Sequence, residues 1–216
     1  MTRARQLADA GVKADYLDNV ASDINTQLNA KAPLASPTFT GTIGGGAIGS
    51  AVTGFTGIKE ADTWRVGTAF AGTAEPITSG WERDDSDLQG KIGTGMDHSS
   101  GAFYFPSTGY WYITFQSIFA IPSTVGPGRS LASRISAKPA GGSWNLAAYG
   151  MTQGEVYQNN QSYTTANCSI IVDITTSGSS GDMVRFEHTT TEANIDAHCD
   201  TNANETYAMF FRLGDT

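Results

Sequence analysis

From residue 58 to the C-terminus, polar and apolar residues alternate with the period of two that marks a half-buried β-strand. The alternation is clearest in YWYITFQSIFAI, which starts at Tyr110, and in CSIIVDI, which starts at Cys168. Runs of the same kind predict strands over 63–72, 101–105, 110–121, 130–137, 144–151, 166–174, 183–187 and 206–213. Turn formers separate them at Pro106–Gly109, Pro122–Gly128, Pro139–Gly142 and Ser177–Asp182. Eight strands without a helical pattern point to an antiparallel sandwich occupying 58–216. Phe103, Phe105, Tyr110, Tyr112, Phe115, Ile171, Phe186, Phe210 and Phe211 are the expected inward-facing or interface side chains.

The first 57 residues follow other rules. Leu17, Val20, Ile24 and Gln27, with Leu28 beside it, make a seam of little more than two heptads. So short a helix is marginal alone, and it must coil with copies of itself or lie on its own head domain. In KAPLASPTFTGT, residues 31–42, Pro33 and Pro37 stop any helix, and Thr38-Phe39-Thr40 reads as a short strand before Gly41. Residues 40–57 are uncharged and rich in glycine, with Ile43, Ala47, Ile48, Val52 and Phe55 spaced among the glycines. They form either a flexible linker or a thin β stem whose apolar side is buried against other copies. The expected domains are a helical segment over 1–31, a stem over 32–57 and a head over 58–216.

Two resemblances sharpen this division. The string KAPLASPTFTGT resembles the segment repeated in tail-fibre and other appendage proteins of tailed bacteriophages. There it marks the passage from a three-helix coil into a threefold β stem. That resemblance covers about the first fifty-five residues and implies a homotrimeric virion protein whose N-terminus attaches to other virion proteins. GAFYFPSTGYWYITF, residues 101–115, is similar to a stretch of the complement globular-head and tumour-necrosis-factor jelly rolls. GDMVRF, starting at Gly181, and YAMFFRL, starting at Tyr207, fit the last two strands of that family. The second resemblance implies a ten-strand jelly roll that trimerises about its own axis. The loops, Trp64 and Phe70 match nothing in it. It carries no binding site across, because such folds place function in variable loops.

Composition supports a virion surface more than an enzyme. Charged residues are only 16% of the chain and glycine supplies 25 residues, so hydroxyls, amides and glycine must cover much of the surface. The net charge is −8. Residues 1–31 are balanced, with Arg3, Arg5, Lys13 and Lys31 against Asp9, Asp15, Asp18 and Asp23, so the excess is carried by the rest. Basic residues do not cluster along the chain, and no phosphate-tracking groove is expected; nucleic acid is not an expected partner. No run reaches signal-peptide or membrane-spanning length, so synthesis and folding in a cytoplasm are expected, with the virion as destination. Cys168 and Cys199 match no metal spacing and are expected to be free thiols.

Chemistry is sparse. There is no phosphate loop, HExxH, GxSxG or CxxC. His188 closes the run VRFEH and reads as a strand-end residue. Asp196, His198, Cys199 and Asp200 could ligate a metal or simply form a solvated loop; neither metal nor cofactor is expected. Glu82, Asp84, Asp85 and Asp87 flank Trp81, and paired acids are what a glycosidase needs. Acids in a polar turn are far commoner, and a glycan depolymerase stays a remote alternative.

Loops suit binding better. Pro122–Arg129, Gln153–Thr165 and Glu192–Glu205 are expected to share the end of the jelly roll opposite the stem. Tyr157 and Tyr163 offer flat faces with a hydroxyl, and Asn160 offers a donor and an acceptor, the mixture that stacks on and hydrogen-bonds a sugar. Turn-rich loops also hold such residues for conformational reasons alone. The expected function is adhesion to a host-surface glycan or envelope protein, with Tyr157, Asn160, Tyr163, Asp196 and His198 as candidate contacts. Ile43, Ile48, Val52 and Phe55 are the candidate trimer-stem residues. The alternative is a decoration or joining protein whose head touches other virion proteins.

Overall fold

The computed structural model describes Arg3 and residues 57–84, 89–125, 128–156 and 160–216. All but Arg3 belong to the second of the two units into which the chain divides, 54–216. The expected coil, the stem with Ile43, Ile48, Val52 and Phe55, and Tyr157 lie outside the described residues. From residue 57 onward none of the described residues is helical.

Twelve strands occur among the described residues: β1 (Ala61–Val66), β2 (Phe70–Ala71), β3 (Trp81–Arg83), β4 (Asp97–Ser99), β5 (Ala102–Tyr104), β6 (Gly109–Ile121), β7 (Gly128–Lys138), β8 (Asn145–Gly154), β9 (Ser162–Ile174), β10 (Met183–Thr189), β11 (Asp196–His198) and β12 (Tyr207–Gly214). Each run read from sequence contains a strand, but 63–72 is broken between β1 and β2. The short β3, β4 and β11 were not legible, because three residues carry no measurable period.

All pairings are antiparallel. One sheet is built on β6, the longest alternating run. Strand β9 follows one edge of β6 from Gly109 to Ile121. The other edge is shared by β12, alongside 110–116, and β11, alongside 118–120. Strands β1 and β3 extend this sheet beyond β12, and β2 extends it beyond β11. The second sheet runs β4-β5-β10-β7-β8. Segment 70–77 spans the two sheets, pairing with β11 through β2 and then with β10 through Ala74–His188 and Ile77–Phe186. At the opposite side β8 backs directly onto β9: a Cβ on Gly150 would sit 1.8 Å from the Asn167 carbonyl oxygen. Only glycine allows that approach.

Period two decides which side chains enter the core. On β6, Trp111, Ile113, Phe115 and Phe119 point inward and are at most 1% exposed. Trp111, Ile113 and Phe115 share one core cluster with Phe103, Phe105, Phe186 and Phe210, which are fully buried, and Phe119 belongs to a second cluster with Ile121, Leu131, Ala166 and Ile195. Tyr110, Tyr112, Ile171 and Phe211 have the opposite parity and occupy the outer face instead. Phe211, Tyr112 and Ile171 stand side by side across β12, β6 and β9. The Tyr112 and Phe211 rings stack at 6.5 Å, and Ile171 is 59% exposed.

The sheet registers define two ends. Ala61, Gly109, Ile174 and Gly214 gather at the near end, where the chain enters the head. Asp182 knots the near-end loops: its carboxylate accepts from the backbone N–H groups of Ala140 (2.8 Å), Thr175 (2.8 Å) and Thr176 (3.0 Å). Burial raises the pKa of that carboxyl, but these bonds outweigh it and hold the group below the usual carboxylate range. The loops after β6, β8 and β10 fall at the far end, as the alternation of strand direction implies.

His188 stands one residue from the end of β10, yet it is fully buried, stacked on Phe119 at 4.1 Å and against the Phe70 ring at 5.2 Å. Ser117 Oγ lies 2.6 Å from Nδ1, while Nε2 has no partner among the described residues. Burial pushes its pKa down to about 4. Between pH 6.5 and 4 an unfolded chain binds this proton and the folded head does not. Stability is therefore complete above pH 6.5 and falls as pH drops toward 4, by about 3 kcal/mol. Burial shifts half-buried His98 in the same direction, with Asp97 opposing. A plot of melting temperature against pH should be flatter in this window for His188→Gln than for the native chain. An unchanged slope would assign the acid sensitivity elsewhere.

Candidate functional site

The far end brings together residues that are distant in sequence. Asp196 on β11, Ala120 on β6 and Tyr163 on β9 form one row across the first sheet. In the next row of the same face stand His198, Ile118 and Thr165. The Tyr163 ring meets the His198 imidazole edge-on at 4.8 Å and is itself 55% exposed. Asp196 and His198 are half-buried and Asn160 is exposed. Four of the five candidate contacts are therefore described, and three of them share a single face of the sheet.

Residues that sequence alone did not single out hold this face in place. Glu205 Oε2 hydrogen-bonds His198 Nδ1. Gln116 Nε2 donates to the Glu205 carbonyl at 3.1 Å. Thr206 Oγ1 donates to the His198 carbonyl at 2.7 Å and accepts from the Ile118 amide at 3.2 Å. The loop from Cys199 to Thr206 is thereby tied back onto β6 and β11. The signal was present as a hydroxyl and a carboxylate just before β12, but only the fold turns them toward His198.

The Asp196–Asp200 cluster is not arranged as a metal centre. His198 Nδ1 is occupied by Glu205, and Asp200 Oδ1 accepts from the Asn202 amide at 2.6 Å. Both cysteines are free, and burial pushes the Cys168 and Cys199 thiols up to about 12. Among the described residues no three His, Cys, Asp or Glu side chains group as metal ligands. No helix among them is long and apolar enough to cross a membrane.

The acids beside Trp81 are engaged in structure. Arg65, 2% exposed, donates to Glu82 Oε1 and to Asp84 Oδ1, each at 2.8 Å. Asp84 is itself 2% exposed and accepts from Asn204 Nδ2. The Arg65 hydrogen bond holds the Glu82 carboxyl below its ordinary pKa, partly opposed by burial. A glycosidase needs one carboxyl kept protonated, and Arg65 favours the charged form. Asp85 and Asp87 lie outside the described residues.

No protein-family model and no curated protein sequence matches the chain. Solved structures do share its architecture. The structure of Eiger TNF from S. frugiperda superposes with a TM-score of 0.52 at 8% identity, covering 72% of this chain and 93% of that one. The crystal structure of murine APRIL at pH 5.0 gives a TM-score of 0.50 at 11% identity, covering 71% and 98%. At such identities the likeness is one of fold, and it agrees with the two-sheet order and with the GAFYFPSTGYWYITF segment. The head of this chain is a TNF-like antiparallel jelly roll.

Proposed function

We propose that this chain is a homotrimeric appendage protein of a phage virion that adheres to a host-surface glycan or envelope protein without catalysis. The N-terminal segment holds it to other virion proteins, and the far end of the jelly roll makes the contact. The convergence of Tyr163, His198 and Asp196 on one outward face carries the adhesive reading, because it joins an exposed aromatic surface to polar donors and acceptors. The phage-like string KAPLASPTFTGT supports the virion setting. The Phe211–Tyr112–Ile171 row supports self-association, since a monomer would leave it in water, and second and third copies would cover it. Ile43, Ile48, Val52 and Phe55 would add a stem interface.

Weak single sites suffice for such a protein. Three copies on one trimer and many trimers on a particle raise avidity by about 10² to 10⁴.

One observation favours the joining-protein reading. Strand β8 exposes Leu146, Tyr149 and Met151, at 53%, 60% and 62%, on the side of the second sheet. Adsorption decides between the two. The purified chain should sediment as a trimer and compete with phage for host cells. Tyr157→Ala with Tyr163→Ala should abolish that competition while the trimer and its melting temperature stay unchanged. Competition that survives this change, and survives further removal of Asp196 and His198, would hand the lead to the joining reading. A stable monomer at micromolar concentration would sink the assembly.

A further inference from the structure

A second concave site lies on the other sheet, towards the near end. Its lining includes Tyr104, Lys138, Trp144, Met183 and Arg185 on one side, and Pro76 with residues 99–102 on the other, enclosing about 320 Å³. Tyr104, Met183 and Lys138 form one row across β5, β10 and β7, and Arg185 stands in the next row beside Ala102 and Ser136. The Trp144 ring lies 4.7 Å from the Arg185 guanidinium carbon and 6.0 Å from Lys138 Nζ. A volume near the lower end of small-ligand sites suits one ring-sized molecule.

The charge in this groove runs against that of the chain. Arg185 turns one edge of its guanidinium to Glu187 Oε1, at 3.1 Å from both Nε and Nη2, and Ser136 Oγ donates to the same oxygen at 2.7 Å. Glu187, 5% exposed, is thus accounted for, and it offsets Arg185 alone. Lys138 has no acceptor among the described residues; its neighbour is the Trp144 ring. Asp97, opposite Tyr104 on β4, is outside the lining. The groove therefore carries one uncompensated positive charge on a protein of net charge −8.

We infer that this groove binds a carboxylate-bearing sugar residue. The carboxylate meets Lys138 and the free edge of Arg185 in charge-assisted hydrogen bonds. The ring lies against the aromatic surfaces of Tyr104 and Trp144, and Ser99 and Ser100 offer hydroxyls at the rim. None of these residues belongs to the far-end face, so the groove and the far-end reading stand or fall separately.

Titration of the full chain with D-glucuronate, D-glucose and acetate, read by tryptophan fluorescence and by amide chemical shifts, tests it. Glucuronate should saturate with a dissociation constant on the order of 1 mM. Glucose, which lacks the charge, and acetate, which lacks the ring, should each bind at least about tenfold more weakly. Lys138→Met and Trp144→Leu, both near the surface, should each weaken glucuronate about tenfold without moving the melting temperature. Raising salt to about 1 M should weaken the native chain and leave Lys138→Met little changed. Acetate binding as well as glucuronate would reduce the groove to an adventitious anion site. Equal binding of glucose, no saturation by glucuronate, or undiminished binding in both variants would overturn the assignment.

Discussion

Phe103→Ala should cost the head about 3–5 kcal/mol and lower its melting temperature by roughly 10 °C. Phe103 is fully buried among five other rings. Its centroid lies 5.5 Å from Trp64, 5.1 Å from Trp81, 4.7 Å from His98, and 5.3 Å from both Phe186 and Phe210. These rings come from both sheets, so no single neighbour can move to refill the space. The loss therefore combines lost transfer energy with a residual cavity. Tyr149→Ala, 60% exposed on β8, should change stability by no more than about 0.5 kcal/mol. Calorimetry of both variants checks the assignment, and equal losses would mean that the aromatic cluster is not the main source of stability.

Arg65→Leu should be nearly as damaging, by about 3–5 kcal/mol, for an electrostatic reason. Its side chain is 3% exposed and pairs with Asp84, also 3% exposed, and with the more open Glu82. Removing the guanidinium strands the Asp84 carboxylate in a site it cannot leave. Among the described residues, Asn204 Nδ2 would remain as its side-chain donor. The double variant Arg65→Leu with Asp84→Asn should recover part of the loss, because the stranded charge is gone. Denaturant midpoints for the two variants make the comparison. A double variant less stable than the single one would show that lost packing of the arginine stem, not the orphaned charge, dominates.

The two changes act on different layers of the same region. A separate polar network supports the Phe103 side: Asp62 accepts from Trp64 Nε1 at 2.9 Å and from Arg83 Nε at 3.2 Å, and the Arg83 guanidinium lies over the Trp64 ring at 4.7 Å. Trp64 in turn touches Phe103. The polar network thus orients a ring of the core, and the edge strand β3 is fixed against β1 in a geometry that its three residues could not impose.

Sequence alone determined the strands that matter most. YWYITFQSIFAI and CSIIVDI are long enough for period two to be unmistakable, and PSTG and SGSSGD mark where the chain must turn. Together with the spacing of glycine, proline and aromatics at 101–115, this made an antiparallel jelly roll legible. Three things were decided only by the tertiary structure. The first is which parity faces the core: alternation says that Phe115 and Tyr112 point opposite ways, but not which one meets the second sheet. The second is the existence of β3, β4 and β11, whose three residues become strands only because a neighbour offers an edge, and the break that separates β2 from β1. The third is every long-range meeting. His188 is buried because Phe119 and Phe70 close over it. Tyr163 reaches His198 because β6 lies between their strands. Lys138, Trp144 and Arg185 look scattered along a chain in which basic residues do not cluster; the β7–β10 register puts Lys138 and Arg185 in adjacent rows, and the turn before β8 brings Trp144 over them. Local patterning fixes what a segment can become, since it depends on a few neighbouring dihedrals. A site depends on which segments pair, and that is settled by the burial of the whole core.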